Sequence, residues 1–576
     1  MLFDSDQLIV SLLAVFVAMM ASAAIVFQRR YRPVAYTVVC GCAVAALVTW
    51  TDFGKFHTIY VVTSHPAAGT NGAQPAREER HQPFHLHEFF HYYMGSKYFA
   101  ELGYLGLYDC TALADKEVAD EDHEGARIGG YIRDLDDVLK DKTYEQALDD
   151  CRTQHPFSPA RWASFKNDLR ELHRLVPDGW WGSVVFDAGF NPPPSWVVVD
   201  SAIANVIPIR VGRAPTYLLA TGIDMGLLLI AFFALRSAFG RTAAAVAVVF
   251  FGATFIASYG WNGGAFLRFT WLTSLCLSLA AMKKGRWALA GALLGASVAD
   301  RIFPAGFAAG AMIPMAALAW RSPEHRARLV RFVGAMAASF AALALLAAIV
   351  FGPHRWVVFA ERIGRHGDVY YVMHIGLKKV MGFREWVLNQ NFHGHDGLAR
   401  FRSWNLRLRA QWHDMRPWTW LVQLLAVVGA IGASLRRKPY EAALVGGVVF
   451  MFAFNLPANY YYVVLALVPA MLVRAAASAP TELRRLREYG AFVAFGAFWL
   501  TTLVSSRVWD SDIRYDYWIC VGLAAFLVAW FAAWTRPKRA EAIAASIGRW
   551  IRARYWSGRT SPAPTGGPPE DRPSTS

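Results

Sequence analysis

The sequence predicts an all-α, polytopic membrane protein, and three observations carry that prediction. Of its 576 residues, 55% are hydrophobic and only 18% are charged, whereas soluble domains average about 25% charged. The deficit comes from a series of apolar runs, most of them long enough to cross about 30 Å of hydrocarbon. Lys and Arg collect in short loops between those runs, as they do in cytoplasmic loops. That placement explains the net charge of +15 as a topology signal, so no nucleic-acid partner is needed. The 14% aromatic share fits interfacial belts of Trp and Tyr.

Taken in order, 1–50 holds the first two spans, 8–27 and 34–50. The leader Met1–Gln7 is acidic, which suits a secretory signal poorly. The basic loop 28–33 (QRRYRP) puts the N-terminus outside. Residues 51–216 are polar, acidic in patches and helical in pattern at 159–175. A segment of that length is expected to fold as a small extracytoplasmic domain. Spans at 217–235, 242–259, 265–282, 287–299, 303–320 and 329–351 follow, and 352–418 makes a second outer segment rich in His, Arg and aromatics. Spans at 419–435, 442–455, 460–473, 491–504 and 518–534 close the bundle. The total is about 11 to 13 spans. The tail 535–576 is cytoplasmic, first basic with a helical pattern at 541–556, then Pro/Ser/Thr/Gly-rich and disordered in composition. The charge rule places both long polar segments on one face.

Cys40, Cys42, Cys276 and Cys520 lie in apolar runs and read as packing residues. Cys110 and Cys151 share the polar segment, where an oxidising exterior permits a disulfide between them.

The densest chemistry lies at 85–99, His-Leu-His-Glu-Phe-Phe-His-Tyr-Tyr-Met-Gly-Ser-Lys-Tyr-Phe. His87, Glu88 and His91 spell H-E-x-x-H, which on a helix sets two imidazoles one turn apart for zinc, with the glutamate as base. His85, His123, Glu124 and His173 are candidates for a third ligand. That pattern raises a membrane metalloprotease, while the plainer reading is an interfacial aromatic helix. A secondary transporter is the non-enzyme alternative, resting on Asp224 as a charge inside a span.

The same stretch also resembles the first outer loop of GT-C-fold glycosyltransferases. The matching residues are Glu88, His91-Tyr92-Tyr93, Gly95 to Phe99, Glu101 to Tyr104, and Leu107-Tyr108. The resemblance continues through Phe190-Asn191-Pro192-Pro193-Pro194-Ser195-Trp196, Gly264 to Arg268, Asp300-Arg301-Ile302-Phe303-Pro304 and Asn459 to Tyr462. Those enzymes take sugars from polyprenyl-phosphate carriers. The resemblance therefore implies a multi-pass transferase of a bacterial inner membrane, with a polyprenyl-phosphate sugar as donor and an extracytoplasmic acceptor. By position it makes Glu88 the general base. Many members carry Asp early after a span, a place Asp52 occupies, so Asp52 is the second candidate. Arg268 and Arg301 would hold the phosphate, since guanidinium clamps it through paired hydrogen bonds, and His91, Tyr92, Lys97 and Asn191 would contact substrate. The resemblance makes no cofactor certain. Some members use a divalent metal, for which His87 and His91 are the ligands on offer. Against these roles, an arginine at a span end ordinarily snorkels to headgroups, Asn191 with its prolines reads as a turn, and Asp187 and Asp200 read as surface carboxylates.

Overall fold

The computed structural model describes residues 5–27, 32–64, 76–175, 180–210, 212–382, 384–388, 397–479, 481–508 and 512–535. The tail helix expected at 541–556 lies outside the described residues. Helices α1 (Ser5–Phe27) and α2 (Arg32–Trp50) open the chain and pack on each other.

The polar segment then builds an antiparallel hairpin, β1 (His57–Ser64) with β2 (Ala76–Gln82). It continues through α3 (Leu86–Lys97), α4 (Leu107–Asp122), a second hairpin of β3 (Tyr131–Arg133) and β4 (Asp141–Thr143), α5 (Tyr144–Gln154), α6 (Pro159–Leu175) and α7 (Pro194–Val206). The two hairpins are sheet that an all-α reading does not contain. Local signals start the helices. His85 Nδ1 accepts the Glu88 N–H at the start of α3, and Glu88 in the first turn suits the positive end of the helix dipole. Thr143 and Gln146 form a capping box at α5. Phe89 through Lys97 are all buried, so α3 is enclosed on every side.

The apolar part of the chain forms α8 (Ile223–Phe239), α9 (Arg241–Gly252), α10 (Thr270–Lys283), α11 (Trp287–Asp300), α12 (Ala305–Ala319) and α13 (Pro323–Phe351). After α14 (His354–Gly367) come α15 (Gly397–Ser434), α16 (Pro439–Val449), α17 (Leu467–Ala477), α18 (Glu482–Val508) and α19 (Asp512–Trp534). Six helical stretches among the described residues are long and apolar enough to cross a membrane: Pro33–Trp50, Ala214–Phe239, Pro323–Phe351, Gly397–Ser434, Asn459–Ala477 and Ile513–Trp534. Every apolar run read from the sequence is helical here, with shifted ends. Helices α11 and α13 pack closely because Gly291 and Gly295, four apart, present no Cβ. A Cβ at either would collide with the carbonyl oxygen of Phe332 or Met336, the small-xxx-small logic of membrane helix pairs.

Two boundaries differ from expectation. The span expected from 265 starts at Thr270, because 263–269 folds as a buried turn with Phe266 and Leu267 in left-handed backbone. The outer segment expected to end at 418 is instead helical from Gly397 into the following span. Its Arg-rich turns stay helical because Phe401, Trp404 and Leu408 share one side and pack with Val369, Tyr370 and Ile513.

The polar segment is also not a separate body, since residues 1–534 form one compact unit. Its core takes in Phe266 and Leu267 from the bundle's turn, Leu219 and Ala220 from just before α8, and Phe359 from α14. Cys110 on α4 and Cys151 on α5 form a disulfide, with Cα atoms 4.9 Å apart and a sequence separation of 41. Closing a loop of that size stabilises by about 4 kcal/mol in the chain-entropy model. Cys110→Ser with Cys151→Ser should therefore lower the detergent melting temperature by several degrees, and non-reducing peptide mapping should recover the linked pair. Free alkylation of both thiols in the folded protein would contradict the bridge.

Candidate functional site

Where the polar segment meets the bundle there is a cavity of about 360 Å³, within the range of small-molecule sites. Helix α3 contributes His87, Glu88, His91 and Tyr92 to its wall, and the loop before α7 contributes Asp187 and Asn191. Arg301, Ile302 and Phe303 come from the end of α11, His366 from the last turn of α14, Tyr371 and His374 from the segment after it, and Tyr460 and Tyr461 from the stretch before α17.

The buried turn at 263–269 fixes one end. Gly264 sits at φ +70, and a Cβ there would collide with the Pro83 carbonyl, so only glycine lets this turn lie against the start of α3. The Gly264 carbonyl accepts the His85 N–H at 3.0 Å. Asp224 on α8 accepts the N–H groups of Arg268 and Phe269 at 3.1 and 3.2 Å. Asp224 thereby caps the start of α10, which gives the charge behind the transporter reading a structural job. Held this way, Arg268 is 2% exposed, and its Nη2 lies 2.6 Å from Glu88 Oε2. The angle is that of an ion pair, because no guanidinium N–H of Arg268 finds a hydrogen-bond acceptor. The Tyr92 and Tyr460 rings lie 5.0 and 4.3 Å from the guanidinium carbon, supplying cation–π contact on a desolvated charge.

Arg301 follows the last residue of α11. Its Nη1 donates to the Asp300 carbonyl and carboxylate, both at 2.8 Å. Its Nη2 is buried with no hydrogen-bond partner. Trp196 and Tyr92 lie 5.1 and 5.8 Å from its guanidinium carbon. Of the two expected phosphate-holding arginines, Arg301, paired with Asp300, is thus on the cavity wall, while Arg268, paired with Glu88, lies behind it.

At the other end, His87 Nε2–H donates to Asp187 Oδ2 at 2.9 Å. His91 Nδ1–H donates to the His87 carbonyl at 2.6 Å, and its Nε2 accepts the Tyr108 hydroxyl at 2.7 Å. Arg362 on α14 holds the Asp187 loop, donating to Asn191 Oδ1 at 3.0 Å, to Ala188 O at 2.9 Å and to Leu135 O. The turn after α14 is pinned by Ile375 N–H to Pro457 O and Asn459 N–H to Met373 O, at 3.0 and 2.8 Å. Withdrawal from solvent pulls the His87 imidazole down, but the Asp187 charge and hydrogen bond outweigh it and raise the pKa. The same pair takes Asp187 the other way. Desolvation pushes its carboxyl up, and the charge and hydrogen bond of His87 bring it far below the usual carboxylate range.

Several expected site residues lie elsewhere. Lys97 is buried and donates to Asp168 Oδ2 at 2.6 Å and to Tyr93 Oη at 2.9 Å, so it braces α3 against α6 and is not on the cavity wall. Asp52 sits in the turn after α2 with left-handed backbone, away from the cavity lining. His123 ends α4 in left-handed backbone, and His173 lies against Asp115 and Arg127. Neither joins the His87–His91 pair, and the third group beside them is Asp187. Asp187 and Asp200 are not surface carboxylates: the first lines the cavity, and the second is 1% exposed with both oxygens unpartnered. Sequence reading also missed His366, Tyr371 and His374, and gave Tyr461 only as part of the motif from Asn459 to Tyr462. The available signal was density, since five of the chain's sixteen histidines line this one hollow.

No protein-family model, curated protein or solved structure matches the chain.

Burial holds His57 at about 4 and His173 at about 3, so both stay neutral while an unfolded histidine takes up a proton near pH 6.5. The unfolded chain then binds more protons, and stability falls as pH drops from about 6.5 toward those values. The raised His87 has the opposite sign, with its contribution full below about 6.5 and lost at higher pH. Melting temperature should therefore fall between pH 7 and 5, and His57→Gln should flatten that slope. A slope unchanged in His57→Gln would contradict a buried neutral imidazole there.

Proposed function

We propose that the chain is an integral-membrane glycosyltransferase, moving a sugar from a polyprenyl-phosphate donor to an acceptor on the outer face of a bacterial plasma membrane. One observation carries this reading. Glu88, a carboxylate with one oxygen held by Arg268, and Arg301, a guanidinium with an unpartnered Nη2, face the same cavity.

The chemistry asks for those two groups. The acceptor hydroxyl attacks sugar C1, its proton passes to the Glu88 carboxylate, the C1–O bond to phosphate breaks, and polyprenyl phosphate leaves as an anion. Arg301 Nη2 is the donor that meets the charge growing on the leaving oxygen, in a site dry enough for that contact to count. Arg268 positions Glu88: it holds Oε2, and among the described residues no hydrogen bond is made to Oε1. Tyr92 and Tyr461 line the space where a sugar would lie. Ile302, next to Arg301, is 42% exposed and gives the isoprenoid an apolar contact beside the phosphate. The Arg268 contact speaks against the zinc-protease reading, in which the glutamate must be free to serve a metal-bound water. Asp224, committed to capping α10, weakens the transporter reading.

With labelled polyprenyl-phosphate sugars, Glu88→Gln should lower kcat about 100- to 10,000-fold. Arg301→Met should weaken donor binding about 10- to 100-fold, and Asp52→Asn should turn over at the parental rate. Turnover retained in Glu88→Gln, or lost in Asp52→Asn alone, would overturn the assignment.

A further inference from the structure

The end of the cavity opposite Arg301 has a composition that sugar transfer does not require. His87, His91 and Asp187 each offer one ligand atom, and those atoms lie within 4.8 Å of one another. His366 and His374 line the same wall, and His374 Nδ1 is buried with no hydrogen-bond partner. The geometry points to a binding site for one divalent transition-metal ion, zinc by preference, held by His87, His91 and Asp187.

Three features support this. The donor set is imidazole nitrogen with one carboxylate oxygen, which suits zinc and its neighbours and disfavours magnesium and calcium, which take oxygen ligands. Two ligand atoms on one tetrahedral zinc stand about 3.3 Å apart, given bonds near 2.0 Å. The His87 Nε2 to Asp187 Oδ2 separation of 2.9 Å is already close to that. The rings are also oriented for the task. The His91 Nδ1–H bond to the His87 carbonyl fixes the tautomer with the lone pair on Nε2, the arrangement that outer hydrogen bonds impose on ligating histidines. The Tyr108 hydroxyl now donates to that lone pair and would turn away as the ion enters. His87 would release its Nε2 proton, and the ion would replace that proton as the counter-charge to Asp187. With three protein ligands, the fourth position would go to a water, as in open zinc sites. The HExxH pattern thus contributes two ligands, and the third comes from the loop that Arg362 pins in place.

The test uses full-length protein in detergent, purified without a polyhistidine tag, stripped with chelator and titrated calorimetrically with zinc, manganese, magnesium or calcium chloride. Zinc should bind at about one equivalent, with magnesium and calcium weaker by more than 100-fold. Cobalt substitution should give the visible bands of a tetrahedral nitrogen/oxygen site. His87→Gln and Asp187→Asn should each weaken zinc at least 10-fold with elution volume unchanged, and His413→Ala, an exposed histidine elsewhere, should leave it alone. No zinc binding by the parent would overturn the site, as would equal affinity in folded His87→Gln and Asp187→Asn. These readouts use no sugar donor, so the metal site and the transferase reading can fail independently.

Discussion

The ion pair between Glu88 and Arg268 is the contact on which the rest of the arrangement depends. A guanidinium 2% exposed carries a desolvation cost of several kcal/mol, which only a close counter-charge offsets. Glu88 is that counter-charge, and the Tyr92 and Tyr460 rings on either side add cation–π attraction. The four groups come from α3, the turn before α10 and the segment before α17. One electrostatic constraint therefore locks the helix with the densest chemistry onto the bundle at a fixed depth and rotation. Removing either charge leaves the other buried and unmatched, the most damaging change such a pair can suffer.

Once α3 is fixed, its helical spacing distributes the chemistry. Glu88 and Tyr92, one turn apart, face the Arg301 side of the cavity, while His87 and His91 face Asp187. The two ends are braced separately. Asp224 and Gly264 hold the Arg268 turn from behind, and Arg362 holds the Asp187 loop through Ala188 O and Asn191 Oδ1 and ties it to Leu135 O. An acidic and imidazole-rich end and a cationic, aromatic end thus share one hollow, so a substrate carrying both hydroxyls and an anion can be oriented by charge alone.

Much of the helical architecture was legible because long apolar runs leave few alternatives. Ends were less so. The 263–269 turn is as apolar as a span, and only the close approach required at Gly264 and the capping by Asp224 pull it out of the helix. Glu88, His91, Tyr92 and Arg301 were legible as candidates because each lies in a locally dense motif, and all four line the cavity. Asp187 was not, because its partner His87 lies 100 positions earlier in the chain. Lys97 was misread for the same reason, since Asp168, 71 residues on, neutralises it. Arg268 and Arg301 look alike in sequence, and only packing shows that the first pairs with Glu88 behind the cavity wall while the second, paired with Asp300, lies on it.

The most direct measurement is a double-mutant cycle on Glu88→Gln and Arg268→Met, with stability read from thermal unfolding in detergent. Each single change should cost about 3 kcal/mol. The double variant should be less destabilised than the sum by more than about 1.5 kcal/mol, since it leaves no orphaned charge. Additivity within about 0.5 kcal/mol would mean that the two groups do not depend on each other, and the proposed junction between α3 and the bundle would have to be abandoned.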